Sequence, residues 1–321
     1  MRVLPLLCLC AAAGAVEEVF TAFSPRPTPP DMSWRLAGEL RAQGEADDRD
    51  GGGSLAFDHE MLGGSWLGLR GERDELWLNV RASRTGIEGD AVLPGGASPD
   101  GEYLDAGLGA TWKRLLGGGN VVGATATATC DGQPSVSEGM EWGGTATAFT
   151  RIGLGAEGED GLLLALNYDA DRVFFGNVPV LPLVAWQGLR GPWMLLLGVP
   201  FSVIAYRAEA WRVSAVLGPL PALSAEHRID GPWRVFGEAK WNRQQWRRAE
   251  RASNDDRLEL SQWEWSGGVR LGFGPMIQFD ALAGVATARR LGEDEDSADA
   301  RRDGMALDAA PFAALRGRIA F

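Results

Sequence analysis

Charged side chains that recur on one parity of alternating segments are the residues of this chain best placed to do chemistry. They are Arg35, Glu39, Arg41, Arg81, Asp105, Lys113, Arg151, Asp169, Arg212, Arg234, Glu238, Lys240, Glu264, Arg270, Asp280, Arg316 and Arg318. A period of two puts such residues on one face of a strand and their apolar partners on the other. If the strands close on themselves, this face lines an interior. Both signs are present, which suits a cross-lumen ion-pair network or a pore with opposed charges at a constriction.

Catalysis has little to draw on. The chain has only 2 histidines. His227 shares its parity with Leu223, Ala225 and Ile229, so it is expected on the apolar face, a poor place for a general base. His59 lies in an irregular polar stretch, and there is no Gly-x-Ser-x-Gly elbow. The acidic runs Glu45–Asp50 and Glu293–Asp296 lack the alternate-position ligand spacing of a calcium loop. They read as hydrated loops. Gly51-Gly52-Gly53 lacks the strand–helix context of a phosphate cradle and reads as a turn. The expectation is therefore no enzyme, no metal and no cofactor. A formal net charge of −12 also argues against a nucleic-acid partner.

The elements that must position the charged face are strands. Trp34, Leu36, Leu40 and Ala42 oppose Arg35, Glu39 and Arg41. Leu104 to Trp112, Val122 to Ala128, Ala146 to Leu154, Trp233 to Trp241 and Ile277 to Val285 alternate in the same way. At the carboxy-terminus, Leu307, Ala309, Pro311, Ala313, Leu315, Gly317, Ile319 and Phe321 form an apolar parity against Arg316 and Arg318. Runs of ten or more residues exceed the usual soluble strand. Short and long connections alternate, and Trp residues sit at run ends, where a membrane interface collects them. Residues 178–206 are the most apolar, but Pro179, Pro182, Pro192 and Pro200 break any membrane-length helix. A soluble β-sandwich is the rival reading.

Fifteen runs can be counted, and single-chain barrels have an even number. Placing 181–189 in a long loop and reading Trp193 to Tyr206 as one strand gives about fourteen, or twelve if 54–70 is not a full hairpin arm. Both termini then fall on one side with the short turns. The fold class expected is all-β, a closed antiparallel transmembrane β-barrel over 32–321. Arg2, the apolar run Val3 to Ala13 and the small residues Ala13-Gly14-Ala15 read as a signal peptide, 1–15. Cys8 and Cys10 leave with it, so the mature chain keeps only Cys130 and has no disulfide. The Pro-rich 16–31 reads as an extended periplasmic lead-in.

A signal peptide, Trp-rich alternating strands, acidic loops and a terminal Phe321 together resemble bacterial outer-membrane β-barrel families of unassigned function. Pro179-Val180-Leu181-Pro182 through Gly198-Val199-Pro200, and Asp255-Asp256-Arg257-Leu258, resemble one such family. The resemblance implies residence in the outer membrane among its lipids and lipopolysaccharide. It also implies assembly through the last strand, with Phe321 as the signal that the barrel-assembly machinery reads. A passive, porin-like channel for small solutes is the function expected, and a structural or surface-interaction barrel with a plugged lumen is the alternative.

Overall fold

The computed structural model describes residues 24, 27–28, 33–49, 51–134, 140–154, 160–169, 180–249, 251, 256–274, 276–294 and 303–321. The expected signal peptide lies outside these residues, as do Pro179, Asp255, Glu295 and Asp296.

The strands are β1 (Trp34–Asp47), β2 (Ser54–Arg70), β3 (Asp74–Gly89), β4 (Gly101–Gly117), β5 (Asn120–Gly132), β6 (Met140–Leu154), β7 (Asp160–Asp169), β8 (Val180–Arg190) and β9 (Trp193–Val199). They continue with β10 (Ser202–Arg207), β11 (Trp211–Leu217), β12 (Ala222–Asp230), β13 (Trp233–Trp246), β14 (Arg257–Phe273), β15 (Ile277–Asp294), β16 (Met305–Leu307) and β17 (Ala310–Ala320). Each pairs antiparallel with its neighbour, and β16 and β17 both pair with β15 as two pieces of one stave. β17 also pairs with β1 over Arg35↔Ala320 to Gln43↔Phe312, which closes a barrel of sixteen staves. The seam ends on a reciprocal bond: Trp34 N donates to the Phe321 carbonyl (2.5 Å) and Phe321 N to the Trp34 carbonyl (2.9 Å).

The count differs from the expected one in two places. Val180–Arg190 is a full stave, and 193–206 divides at Pro200 into β9 and β10, which raises fourteen to sixteen. β9, β10 and β11 hold only 7, 6 and 7 residues, below the 9–11 or so of an ordinary spanning strand. Two such pieces read as one strand of usual length. Proline cannot donate to a ladder, so Pro200 sits at the turn between them. Residues 54–70 form a complete 17-residue strand, so the twelve-strand fallback falls.

Parity sorts the side chains. Leu40, Leu62, Val80, Leu108, Leu166, Leu223, Val269 and Leu315 stand exposed on successive outward faces, forming an apolar ring around the barrel. Such a ring is far larger than the patch a soluble monomer leaves bare. Aromatic residues gather at the end where β1 begins and β17 ends, here the near end. Trp34 stacks on Trp66 (5.7 Å), Trp193 packs on Tyr206 (4.9 Å) and Trp211 on His227 (4.3 Å), with Trp233, Phe273 and Phe321 exposed alongside. This is the arrangement of an interfacial girdle.

Leu307 departs from its expected place. It is 1% exposed and packs in an interior apolar cluster with Ala310, Leu55 and Leu291. Asp308 and Ala309 interrupt the ladder between β16 and β17, so the parity changes and the regular apolar outer face begins only at Pro311.

Leu108 lies mid-strand and is 64% exposed. Leu108→Arg is expected to destabilise the folded barrel in lipid vesicles by about 2–4 kcal/mol, read from denaturant unfolding. A soluble sandwich would tolerate the change within about 0.5 kcal/mol.

Candidate functional site

The interior is built from the opposite parity. On the wall from β11 through β1, charged groups join in three sets. Glu264 forms ion pairs with Arg41 (2.8 Å) and Lys240 (3.3 Å) and accepts hydrogen bonds from Asn242 (2.5 Å) and Gln262 (2.9 Å). Arg316 bridges Glu39 (2.8 Å) and Glu238 (2.9 Å). Arg270 makes a paired contact with Asp280, 2.8 Å on each nitrogen, and reaches Glu226, which also takes Arg234 (2.9 Å) and Arg212 (3.8 Å). Two parallel N–H···O bonds to a carboxylate fix geometry as well as charge.

Around β3 and β4, Arg81 lies 3.4 Å from Asp105 and Lys113 lies 3.1 Å from Glu75. Arg35 lies over the Trp77 ring at 4.9 Å. The wall from β5 to β11 differs. Thr125, Thr127, Thr129, Thr145, Thr147 and Asn167 give it a neutral polar stripe, with Thr147 bonded to Asn167 at 2.7 Å. An apolar cluster including Val121, Phe149, Leu163, Leu183, Leu196 and Val203 covers much of the rest. Arg151 is buried on this side, donating to Gln187 at 2.7 Å and to the Gly119 carbonyl.

Both ends of the bore carry chain that turns inward. At the near end Thr28 is buried, and its N and Oγ1 donate to the two oxygens of Glu75 at 2.7 and 2.9 Å. Arg70 donates to the Thr28 carbonyl. Thr28 is thus anchored on the barrel at this point. At the far end the chain leaving β13 crosses to β5 and β6. Those staves lie eight and seven places away around a ring of sixteen, on the opposite wall. Arg247 contacts Glu141 (2.6 Å) and Asp131 (3.5 Å), Arg251 contacts Glu141, and Ala249 N donates to Gln133 (2.8 Å). Arg248 holds this arm to Glu293 with bonds of 3.0 and 2.8 Å. Leu93, Tyr103 and Trp246 fill the space beside the arm with apolar surface.

Of the residues singled out in the sequence, Arg41, Lys113, Arg151, Asp169, Glu238, Lys240, Glu264, Arg270 and Asp280 are buried in the interior. Arg35, Glu39, Arg81, Asp105, Arg212, Arg234, Arg316 and Arg318 share that face but keep more solvent contact. His227 packs with its ring tilted against Trp211 at the girdle, on the apolar parity, and His59 Nδ1 lies 2.9 Å from Thr85 Oγ1. Sequence reasoning passed over Glu226, although it follows from His227 lying on the other parity. It also passed over Glu75, Asp131 and Arg289. Arg289 could not have been found by alternation. Val285 faces out, and an extra residue in β15, with Ala288 at φ 50°, shifts the register between Ser261 and Trp263 and turns Arg289 inward.

Neither the family models nor the curated proteins contain a match to this chain. Among solved structures it is similar to an outer membrane channel from Pseudomonas putida F1, at 15% identity over 92% of this chain and 97% of that one, TM-score 0.40. The Pseudomonas putida toluene transporter TodX gives 10% identity, 98% and 93% coverage and a TM-score of 0.43. The translocator domain of autotransporter NalP from Neisseria meningitidis gives 12%, 97% and 98%, and 0.33. At these values the likeness adds nothing to the strand ladder, on which the fold rests.

Removing the hub carboxylate by Glu264→Gln leaves Arg41 and Lys240 buried without their anion. A loss of about 3–5 kcal/mol is expected in vesicle unfolding. Glu102→Gln, which breaks the exposed pair with Arg84, is expected to cost no more than about 1 kcal/mol.

Proposed function

We propose that this chain is an outer-membrane β-barrel channel for small solutes, held narrow by the arm that follows β13. The observation that carries the reading is an interior lined along one whole wall by buried ion pairs, inside a barrel whose outside is apolar. Buried ion pairs contribute little net stability compared with apolar packing of the same volume. A barrel under selection for stability alone has no need of them, whereas a solute path does. The opposite wall, apolar and threonine-lined, gives the bore two faces, so a solute with a charged end and an apolar end meets both.

The girdle at the near end supports an orientation with both termini in the periplasm and the arm at the cell surface. Outer-membrane lipids and lipopolysaccharide are the proposed surroundings. Secretion by a cleaved signal peptide and assembly through the strand ending in Phe321 are the proposed route. A second reading, a structural or surface-interaction barrel with a plugged lumen, is favoured by the same arm, because its arginines tie it across the bore.

Planar-bilayer recording separates the two. The wild-type barrel is expected to show small, discrete openings. Arg247→Gln with Arg251→Gln, which frees the arm from Asp131 and Glu141, is expected to raise single-channel conductance severalfold. Silence from both proteins, with folding confirmed by heat-modifiable mobility, supports the plugged barrel instead.

A further inference from the structure

Arg289 is a lumen cation whose surroundings leave one of its nitrogens short of a partner. It is 1% exposed, and its Nε donates to Gln262 Oε1 at 3.1 Å and its Nη1 to the Asp308 carbonyl at 3.3 Å. Nη2 has no hydrogen-bond partner, and among the described residues no carboxylate lies within ion-pair distance of the guanidinium. Its charged neighbours are Arg41 and Glu264. Glu264 already serves Arg41 and Lys240, so three cations share one close carboxylate here. A buried donor without an acceptor needs a water or an anion to meet it, and a local excess of cations selects the anion.

The rest of the surroundings is apolar. The guanidinium lies over the Phe57 ring at 5.1 Å. Phe57 belongs to the far-end cluster with Leu55, Leu260, Leu291, Ala310 and Trp246. Trp246, in the same cluster, is also the last residue of β13, from which the arm departs.

We infer that Arg289 and the apolar cluster beside it form a binding site for small organic acids with one carboxylate and an apolar body. The carboxylate meets Nη2 and the tail lies against Phe57 and Leu291. The site rests on the channel reading for how the ligand reaches it. It makes the solute class of that channel an amphipathic monocarboxylate, which would pass next to Arg41 and Lys240.

Hexanoate is a water-soluble probe of this class, and calorimetric titration of the folded barrel in lipid nanodiscs reads its binding without current. Saturable binding at one site is expected. Acetate, which lacks the tail, and hexylammonium, which reverses the charge, are expected to bind at least about tenfold more weakly. Arg289→Gln is expected to weaken hexanoate by about tenfold or more, the cost of losing a charge-assisted contact. Arg289→Lys is expected to keep most of the affinity. If Arg289→Gln does not fold, Arg289→Met removes the buried charge with a side chain suited to an apolar site and is expected to show the same loss. Equal binding by wild type and the neutral variant, equal binding of hexylammonium, or no saturable binding by wild type overturns the inference. A barrel that binds hexanoate in this way yet stays silent in bilayers sinks the channel reading and leaves the site. One that conducts without binding hexanoate does the reverse.

Discussion

Every other feature of this molecule depends on the hydrogen-bond ladder between β1 and β17. In hydrocarbon an unpaired backbone N–H or C=O costs several kcal/mol, so a sheet with an apolar outer face has no stable edge. Nine consecutive residue pairs along the seam, with the reciprocal bond between Trp34 and Phe321, remove both edges at once. Only then does the alternation of side chains acquire an inside. The same ladder that permits Leu40 and Leu315 to face lipid compels Glu39 and Arg316 to face each other across the seam, where they are paired.

The interior inherits a problem from that closure. Charges drawn from water are costly unless paired, and here the pairing runs between staves that only closure brings together. Arg41 of β1 reaches Glu264 of β14, and Glu39 of β1 reaches Arg316 of β17. The barrel is also uneven. Strands β13 to β15 and β1 to β6 run well past ordinary membrane thickness, whereas β9 to β11 barely span it. The surplus length of the tall wall stands at the far end, and there the chain bends inward as the arm and the apolar cluster.

Much of this was legible in the sequence, because a period of two is a strong signal wherever the ladder stays regular. The lower two-thirds of β1, β5, β6, β13, β14 and β17 sort inward and outward as their residues alternate, and the charged face follows. Legibility failed where the ladder slips. Three local irregularities at the far end, after Gln43 in β1, at Ala288 in β15 and at Asp308–Ala309 before β17, each reverse the parity beyond them. They turn Ala46, Arg289 and Leu307 inward against the pattern of their own strands. The short staves failed for a different reason: a strand of six residues carries too few alternations to be told from half of a longer one. The arm could not be read at all, since its arginines find Asp131 and Glu141 only because a sixteen-stave ring sets β13 opposite β5.

Register-specific cross-linking across the seam tests the closure most directly. In a Cys130→Ser background, Ala42→Cys and Ala313→Cys place two small outward-facing positions directly opposite each other. The account predicts an intramolecular disulfide in this pair on mild oxidation of the membrane-assembled protein. It predicts none for Ala42→Cys with Phe312→Cys, whose side chains lie on opposite faces. A seam pair that stays reduced, or that cross-links only between molecules, contradicts a barrel closed by β1 and β17.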